Sequence, residues 1–85
     1  MITHTKGGLI IEEIKIGDIH YEYDYGMGMK CEVITLPKLN ESSQYEWNSR
    51  NVNTGNIINY LVDPKYPHYS PNLYNHEAYK VNTYI

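Results

Sequence analysis

The residues best suited to hold a ligand lie in one stretch, YEWNSRN, at residues 45–51. Arg50 is the only arginine of the chain, and Asn48 and Asn51 lie on either side of it. A guanidinium can bind a phosphate through paired hydrogen bonds, while neighbouring amides bond to a base or a sugar. Trp47 offers an aromatic face against which a base can stack. We predict that Trp47, Arg50 and Asn51 contact a small anionic, nucleotide-like ligand, the plain alternative being a solvated surface arginine.

A second stretch, YPHYSPNLYNHEAY at residues 66–79, holds four tyrosines, two histidines and two prolines. Four rings of this size can bury enough apolar area to stabilise a small core by several kcal/mol, at about 25 cal/mol per Å². We expect the segment to cap that core. A tyrosine that packs its ring inward keeps its hydroxyl at the surface, so the cap can also form the rim of a pocket. The predicted rim residues are His68, Tyr69 and Tyr74, with Tyr25 contributed by a strand.

Metal chemistry and acid–base catalysis find little support in the sequence. His68, His76 and Glu77 are close together, but their spacing matches no established zinc pattern. The carboxylates are spread along strand surfaces, and the serines of the 41–44 loop have no nearby histidine. We therefore predict no enzyme activity, no metal site and no cofactor.

The net charge and the cysteine content limit which classes of binding partner and which cellular compartment we expect. Seven basic and ten acidic residues give a net charge of −3, which disfavours binding to duplex nucleic acid. The single cysteine, Cys31, excludes an intramolecular disulfide and suits a buried thiol in a reducing compartment. The start, MITHTKGG, does not read as a signal peptide, and no apolar run reaches about 18 residues. We expect a cytoplasmic protein that contacts no membrane.

Composition and periodicity predict strands. Tyrosine and β-branched residues are abundant, and Ala78 is the only alanine. The clearest alternation is IHYEYDY, in which Ile19, Tyr21 and Tyr23 point to one face and His20 to the other. We favour the tyrosine face as the inner one. The predicted strands are residues 9–16, 19–25, 30–37, 44–52, 57–63 and 77–84, with a helical turn at 70–74.

These elements fit one domain of residues 9–85 that follows a flexible arm of residues 1–8. A bent meander of five or six short strands buries its faces best by closing on itself. We predict an all-β fold, a small SH3-like barrel with a Tyr/Pro-rich capping segment and one short helical turn. A thin core and exposed aromatic residues also favour a homo-oligomer.

Three segments resemble those of small phage-encoded SH3-like proteins. They are IGDIHY, YEWNSRNVNTGNIINYLV and HYSPNLY, and the stretch that contains them covers about three quarters of the chain. Proteins of this class disable host defences, and some are sponges, which are oligomers that sequester cyclic nucleotide immune signals. The resemblance implies a small barrel acting in the host cell cytoplasm.

Two functions follow as hypotheses. The first is a non-enzymatic, oligomeric sponge that sequesters a cyclic nucleotide signal by aromatic stacking and an Arg50–phosphate contact. The alternative is a protein–protein inhibitor that blocks a host defence protein through an aromatic surface, since tyrosines bury area at low entropic cost.

Overall fold

The structure, a computed structural model, describes residues 2–5, 7–24, 27–67 and 73–75. These residues form one antiparallel sheet and a single 3-10 turn at Ile11–Glu13. The six strands are β1 (Ile19–Asp24), β2 (Met27–Val33), β3 (Lys38–Leu39), β4 (Tyr45–Asn51), β5 (Ile57–Val62) and β6 (Leu73–Tyr74). The predicted all-β class is confirmed.

Strand β4 organises the sheet, because it pairs with three other strands. Along one edge it pairs with β2 through Asn51 to Ser49 and with β3 through Glu46 and Tyr45. Along its other edge it pairs with β5 over residues 45–50. Strands β1 and β6 continue the sheet beyond β2. From one edge to the other the strand order is β5, β4, β2, β1 and β6, and the short β3 pairs with β4 on the same edge as β2. In the described residues the sheet does not close into a barrel, which corrects the predicted architecture.

The N-terminal segment covers one face of this open sheet. Leu9, Ile11 and Ile14 are buried against side chains of the sheet. Their partners in the core are Val33, Trp47, Tyr60, Val62 and Leu73. The apolar residues of this segment thus bury the face that a barrel would have closed with a further strand.

Two predictions for this segment are therefore wrong. Residues 9–16 do not form a strand. A 3-10 turn at Ile11–Glu13 interrupts them and places the side chains of Ile11 and Ile14 against the sheet. The first residues do not project as a free arm either. Thr3 is buried and donates its backbone N–H and its hydroxyl to Glu12, and the buried Thr5 hydroxyl donates to the Leu73 carbonyl.

For the four longer strands, the predicted bounds agree more closely with the observed ones. The predictions for 19–25, 44–52 and 57–63 agree with β1, β4 and β5 within a residue or two, and Gly55 takes the positive φ that the hairpin turn needs. β2 begins earlier than predicted, at Met27 in the glycine-containing stretch. Of the predicted helical turn at 70–74, the described part, Leu73–Tyr74, is strand. The predicted strand 77–84 lies outside the described residues.

Strand β1 presents its polar face to the core. His20 is buried, and Glu22 lies opposite Leu73 and accepts a hydrogen bond from Tyr60. Tyr21 and Tyr23 stack on the other face, where Tyr23 also contacts Tyr74 edge to face. The preference for an inner tyrosine face is therefore wrong, although Tyr23 is buried on its own side.

The only helical element in the described ranges is the three-residue 3-10 turn, and no helix there is long and apolar enough to cross a membrane.

A Thr5→Val substitution tests whether the N-terminal segment belongs to the fold. The Thr5 hydroxyl donates to Leu73 and accepts from the Leu9 N–H, and valine removes both bonds while keeping the shape. We expect a loss of about 1–3 kcal/mol in the free energy of unfolding, because buried backbone groups are left without partners. Urea titration measures it, with the exposed Thr54→Val as control. Equal stability of the two variants would contradict this packing.

Candidate functional site

The interior of the sheet contains a polar group among aromatic rings. The Trp47 indole N–H donates to Ser49 Oγ at 3.1 Å, and Ser49 Oγ lies 2.7 Å from His20 Nε2. The Tyr60 ring stacks on Trp47 with centroids 5.4 Å apart and meets the His20 ring edge to face at 5.1 Å. We call His20, Trp47, Ser49 and Tyr60 the aromatic cluster, and all four are almost fully buried.

The hydrogen bonds of this cluster favour one tautomer of His20. Ser49 Oγ accepts from Trp47, so the serine hydroxyl hydrogen needs an acceptor, and His20 Nε2 is the one in reach. A neutral imidazole that accepts at Nε2 carries its proton on Nδ1. His20 Nδ1 has no hydrogen-bond partner among the described residues although it is buried. The cluster therefore contains one unsatisfied N–H donor.

Burial keeps the imidazole neutral. It lowers the pKa of His20 from 6.5 to about 4, because the charged ring would lose its hydration without gaining a counter-charge. Its titratable neighbours include Cys31, which lies opposite His20 on β2, and Tyr60. His20 is therefore a neutral, oriented hydrogen-bonding group at ordinary pH.

Cys31 shares this interior and is held in the thiol form. Its Sγ lies 3.5 Å from Tyr60 Oη, and the Tyr60 hydroxyl donates to Glu22 Oε1 at 2.7 Å. Burial and, to a smaller extent, the Glu22 carboxylate raise the pKa of Cys31, against the opposing effect of the hydrogen bond between Cys31 and Tyr60. Burial likewise raises the pKa of the Tyr60 hydroxyl. A buried thiol with a raised pKa is a poor nucleophile.

The Ser49–His20 contact has the atoms of a nucleophile and base pair but not the surroundings. Ser49 is fully buried and lies beneath Trp47, so a substrate cannot approach its hydroxyl. The described residues also provide no carboxylate bonded to Nδ1, the group that orients the base in serine hydrolases. The contact works as a structural hydrogen bond between β1 and β4.

A groove crosses the face of the sheet opposite the core, where β3, β4 and β5 meet. Its volume is about 420 Å³, and we call it the outer groove. The apolar lining residues are Ile16, Ile34, Leu36 and the buried Trp47, and the polar lining residues are Thr35, Lys38, Glu46, Asn48 and Asn59. Asn59 Nδ2 donates to Asn48 Oδ1 at 2.9 Å and to Glu46 Oε2 at 3.2 Å, so the two amides are held side by side.

A second cavity, of about 280 Å³, opens between the N-terminal segment and the end of β1. We call it the inner cavity. His20 lines it together with Leu9, Ile14 and Val33, and the carboxylates of Glu13 and Asp18 lie at its exposed rim. The two cavities share no lining residue.

The structure places the predicted ligand residues of β4 apart from one another. Trp47 is in the core, and its ring faces Tyr60 and His20 rather than solvent. Arg50 is exposed and bonds to Glu32 at 2.6 Å, opposite it on β2. Asn51 Oδ1 accepts from the backbone N–H groups of Asn53 and Thr54, which closes the β4–β5 turn. These side chains do not converge on one pocket.

The remaining predicted ligand residues come from other parts of the chain. Tyr74 is half-buried on β6, where its ring contacts Tyr23. Tyr25, His68 and Tyr69 lie outside the described residues. Among the residues that are described, no group of three or more His, Cys, Asp or Glu side chains is arranged to hold a metal ion.

Sequence reasoning missed several residues that the structure makes prominent, namely His20, Ser49, Lys38 and Asn59, and it named Asn48 only as a neighbour of Arg50. The alternation of β1 placed His20 on a polar face, but alternation does not say which face is buried. The pairing of Asn48 with Asn59 depends on the β4–β5 register. A hairpin turn of known type at Asn53–Asn56 could have supplied that register.

The low pKa of His20 predicts a pH-dependent stability. The unfolded chain binds a proton on this histidine below about pH 6.5 and the folded chain only below about pH 4, so stability falls as the pH drops between these values. We expect a loss of about 2 kcal/mol between about pH 7.5 and about pH 5, measured by urea titration. Glu12, whose pKa is lowered by its hydrogen bonds to Thr3 and Tyr45 against the effect of burial, acts at lower pH.

His20→Gln should remove most of this loss, and the exposed His4→Gln should leave it unchanged. The comparison uses the difference between the two pH values, so a lower overall stability of His20→Gln does not affect it. An undiminished pH dependence in His20→Gln would show that another group titrates.

Comparison with protein-family models, with curated proteins and with solved structures returns no significant match.

Proposed function

We propose that this chain is a non-enzymatic binding protein that sequesters a small anionic, nucleotide-like ligand in the outer groove. The observation that carries the proposal is the lining of that groove, in which Lys38 and two adjacent amides lie between apolar walls, with the Glu46 carboxylate bonded to one of the amides. Small-molecule sites generally combine apolar walls with a few placed polar groups, and a volume near 420 Å³ suits a ligand of nucleotide size.

Lys38 is the group that would receive the phosphate. It is exposed and forms no ion pair with any described residue, although Glu46 lies opposite it on β4. Arg50 is a weaker choice than the sequence indicated, because its guanidinium is already bonded to Glu32. An ammonium binds phosphate as a point charge and does not require the paired geometry of arginine.

The paired amides of Asn48 and Asn59 would form hydrogen bonds with the nucleobase of the ligand. Asn59 uses its Nδ2 on Asn48 Oδ1 and Glu46, which directs the remaining Asn48 amide N–H groups and the Asn59 carbonyl toward other partners. A donor and an acceptor side by side match the edge of a nucleobase, which presents the same pair in reverse. In the setting that the resemblance implies, the ligand is a cyclic nucleotide signal of host immunity.

Calorimetric titration with a panel of cyclic dinucleotides and trinucleotides tests the proposal. We expect Lys38→Gln to raise the dissociation constant about tenfold or more, the size of one lost charge-assisted hydrogen bond. The exposed Lys65→Gln has the same change of charge away from the groove and should bind as the wild type does. Absence of heat with every member of the panel would overturn the proposed ligand class.

Oligomer formation is a second part of the proposal, and strand β5 supports it. Its outer edge is unpaired among the described residues, and the sequence IINYLV has neither charge nor proline to protect that edge. Ile57 and Leu61 point away from the core and are 56% and 42% exposed. Unprotected apolar edges pair readily with another strand.

A second copy is the partner that fits this edge best. Two β5 strands related by a two-fold axis at Asn59 place Ile57 opposite the partner's Leu61, and Asn59 opposite the partner's Asn59. This register keeps the core faces of both sheets on one side, as the alternation of strands requires. It also covers all four exposed aliphatic side chains at once, in a self-complementary contact.

Sedimentation equilibrium tests the pairing. We expect a dimer in the wild type and a monomer in Leu61→Lys, with Leu39→Lys, another exposed leucine, as control for the added charge. A wild type that stays monomeric at high concentration would contradict the pairing of copies. The alternative function, direct inhibition of a host defence protein, would then use the same edge with a strand of that protein.

A further inference from the structure

The outer groove contains a carboxylate whose charge has the same sign as that of the proposed ligand. Glu46 lines the groove, is exposed, and lies opposite Lys38 of β3. A carboxylate repels a phosphate, so the phosphate of a bound nucleotide has to lie away from it. The part of a nucleotide that Glu46 can bind is therefore the uncharged base.

Two amide side chains hold this carboxylate in place. Asn40 Nδ2 donates to Glu46 Oε1 at 3.1 Å, and Asn59 Nδ2 donates to Glu46 Oε2 at 3.2 Å. An ionised carboxylate has about four acceptor positions, two on each oxygen. The described residues fill one position on each oxygen of Glu46, so the side chain offers two further acceptors side by side.

Asn48 adds a donor next to these acceptors. Its Oδ1 accepts from Asn59 Nδ2 at 2.9 Å, and the same nitrogen bonds to Glu46 Oε2. Because Oδ1 is turned toward Asn59, the N–H groups of the Asn48 amide are directed toward other partners. Oε2 is the carboxylate oxygen on the Asn48 side, so the order along the groove is acceptor, acceptor and donor.

Guanine presents the complementary order. Its Watson–Crick edge carries the N2 amino group, N1–H and O6, which are a donor, a donor and an acceptor. Adenine and cytosine each have one amino group beside a ring nitrogen that is an acceptor, and that lone pair would face a carboxylate oxygen. Uracil has a single N–H between two carbonyl groups. Of the four bases, only guanine can give two neighbouring hydrogens to one carboxylate.

We propose that the outer groove selects guanine, an inference that rests on the proposed function of the groove. N1–H donates to Glu46 Oε2, the N2 amino group donates to Oε1, and the Asn48 amide donates to O6. Paired hydrogen bonds to an ionised carboxylate are stronger than bonds between neutral groups. Lys38 keeps its role at the phosphate, and Glu46 becomes the residue that determines the base.

Calorimetric titration of the full chain with cyclic di-GMP, cyclic di-IMP and cyclic di-AMP tests this selection. The three ligands share one backbone, and hypoxanthine keeps N1–H and O6 of guanine but lacks the N2 amino group. We expect cyclic di-GMP to bind about tenfold or more tighter than cyclic di-AMP, the effect of a lost hydrogen bond to a charged group. Cyclic di-IMP should lie between them.

Glu46→Gln tests the residue, because the glutamine amide replaces one acceptor with a donor and so matches adenine. We expect the ratio of the cyclic di-GMP and cyclic di-AMP affinities to fall to about threefold or less. The ratio is taken within one protein, so a loss of affinity through a displaced Asn59 cancels. Glu13→Gln makes the same change of charge outside the groove and should keep the wild-type ratio.

The outcomes separate base selection from the proposed function. Equal affinity of the wild type for all three ligands would overturn the selection and leave the groove as a nucleotide site. An unchanged ratio in Glu46→Gln would overturn the role of Glu46. Lys38→Gln should weaken all three ligands by the same factor, so it reports on the groove and not on the base. Absence of heat with all three ligands would overturn the selection together with the ligand class.

Discussion

The hydrogen bond between Ser49 and His20 is the constraint on which the rest of the interior depends. Ser49 stands at the centre of the sheet on β4, accepts from Trp47 and donates to His20 across β2. A buried polar group without partners would lower stability by several kcal/mol, so each of these groups limits where the others can stand. In this arrangement the Trp47 ring stacks on the Tyr60 ring with centroids 5.4 Å apart. A thin core thereby gains a unique packing that apolar contacts alone would specify less sharply.

The second constraint is the open sheet. An antiparallel sheet with one apolar face needs a cover, and in this chain Leu9, Ile11 and Ile14 of the N-terminal segment provide it. The Thr3 hydroxyl donates to the Glu12 carboxylate, and the Thr5 hydroxyl donates to the Leu73 carbonyl. Ile11 and Ile14 belong to the same core cluster as Val33 and Trp47. The cover is irregular, so it cannot match the sheet as closely as a strand would. The inner cavity lies at the edge of this mismatch, beside Leu9 and Ile14.

The strands could be predicted from the sequence, and the placement of their faces could not. Alternation and turn residues located β1, β4 and β5 to within two residues, because these signals are local. Which face of β1 is buried depends on what packs against it, and Leu73 and Tyr60 are far away in the chain. The isoleucines of residues 9–16 satisfied a strand pattern but were needed as a cover. Trp47 and Arg50 had the right chemistry for a ligand, yet the core and Glu32 already occupy them.

These reassignments share a cause in the size of the protein. A domain of 85 residues buries too little surface to leave its largest rings free, so Trp47 and Tyr60 stabilise the core. Under the proposed function, the ligand is then bound by groups that the fold itself does not use. Lys38 forms no ion pair with any described residue, and the Asn48–Asn59 pair lies on the solvent face of the sheet. In such a small sheet, the large rings are needed for the core, so the polar side chains on the solvent face are the ones that a ligand can reach.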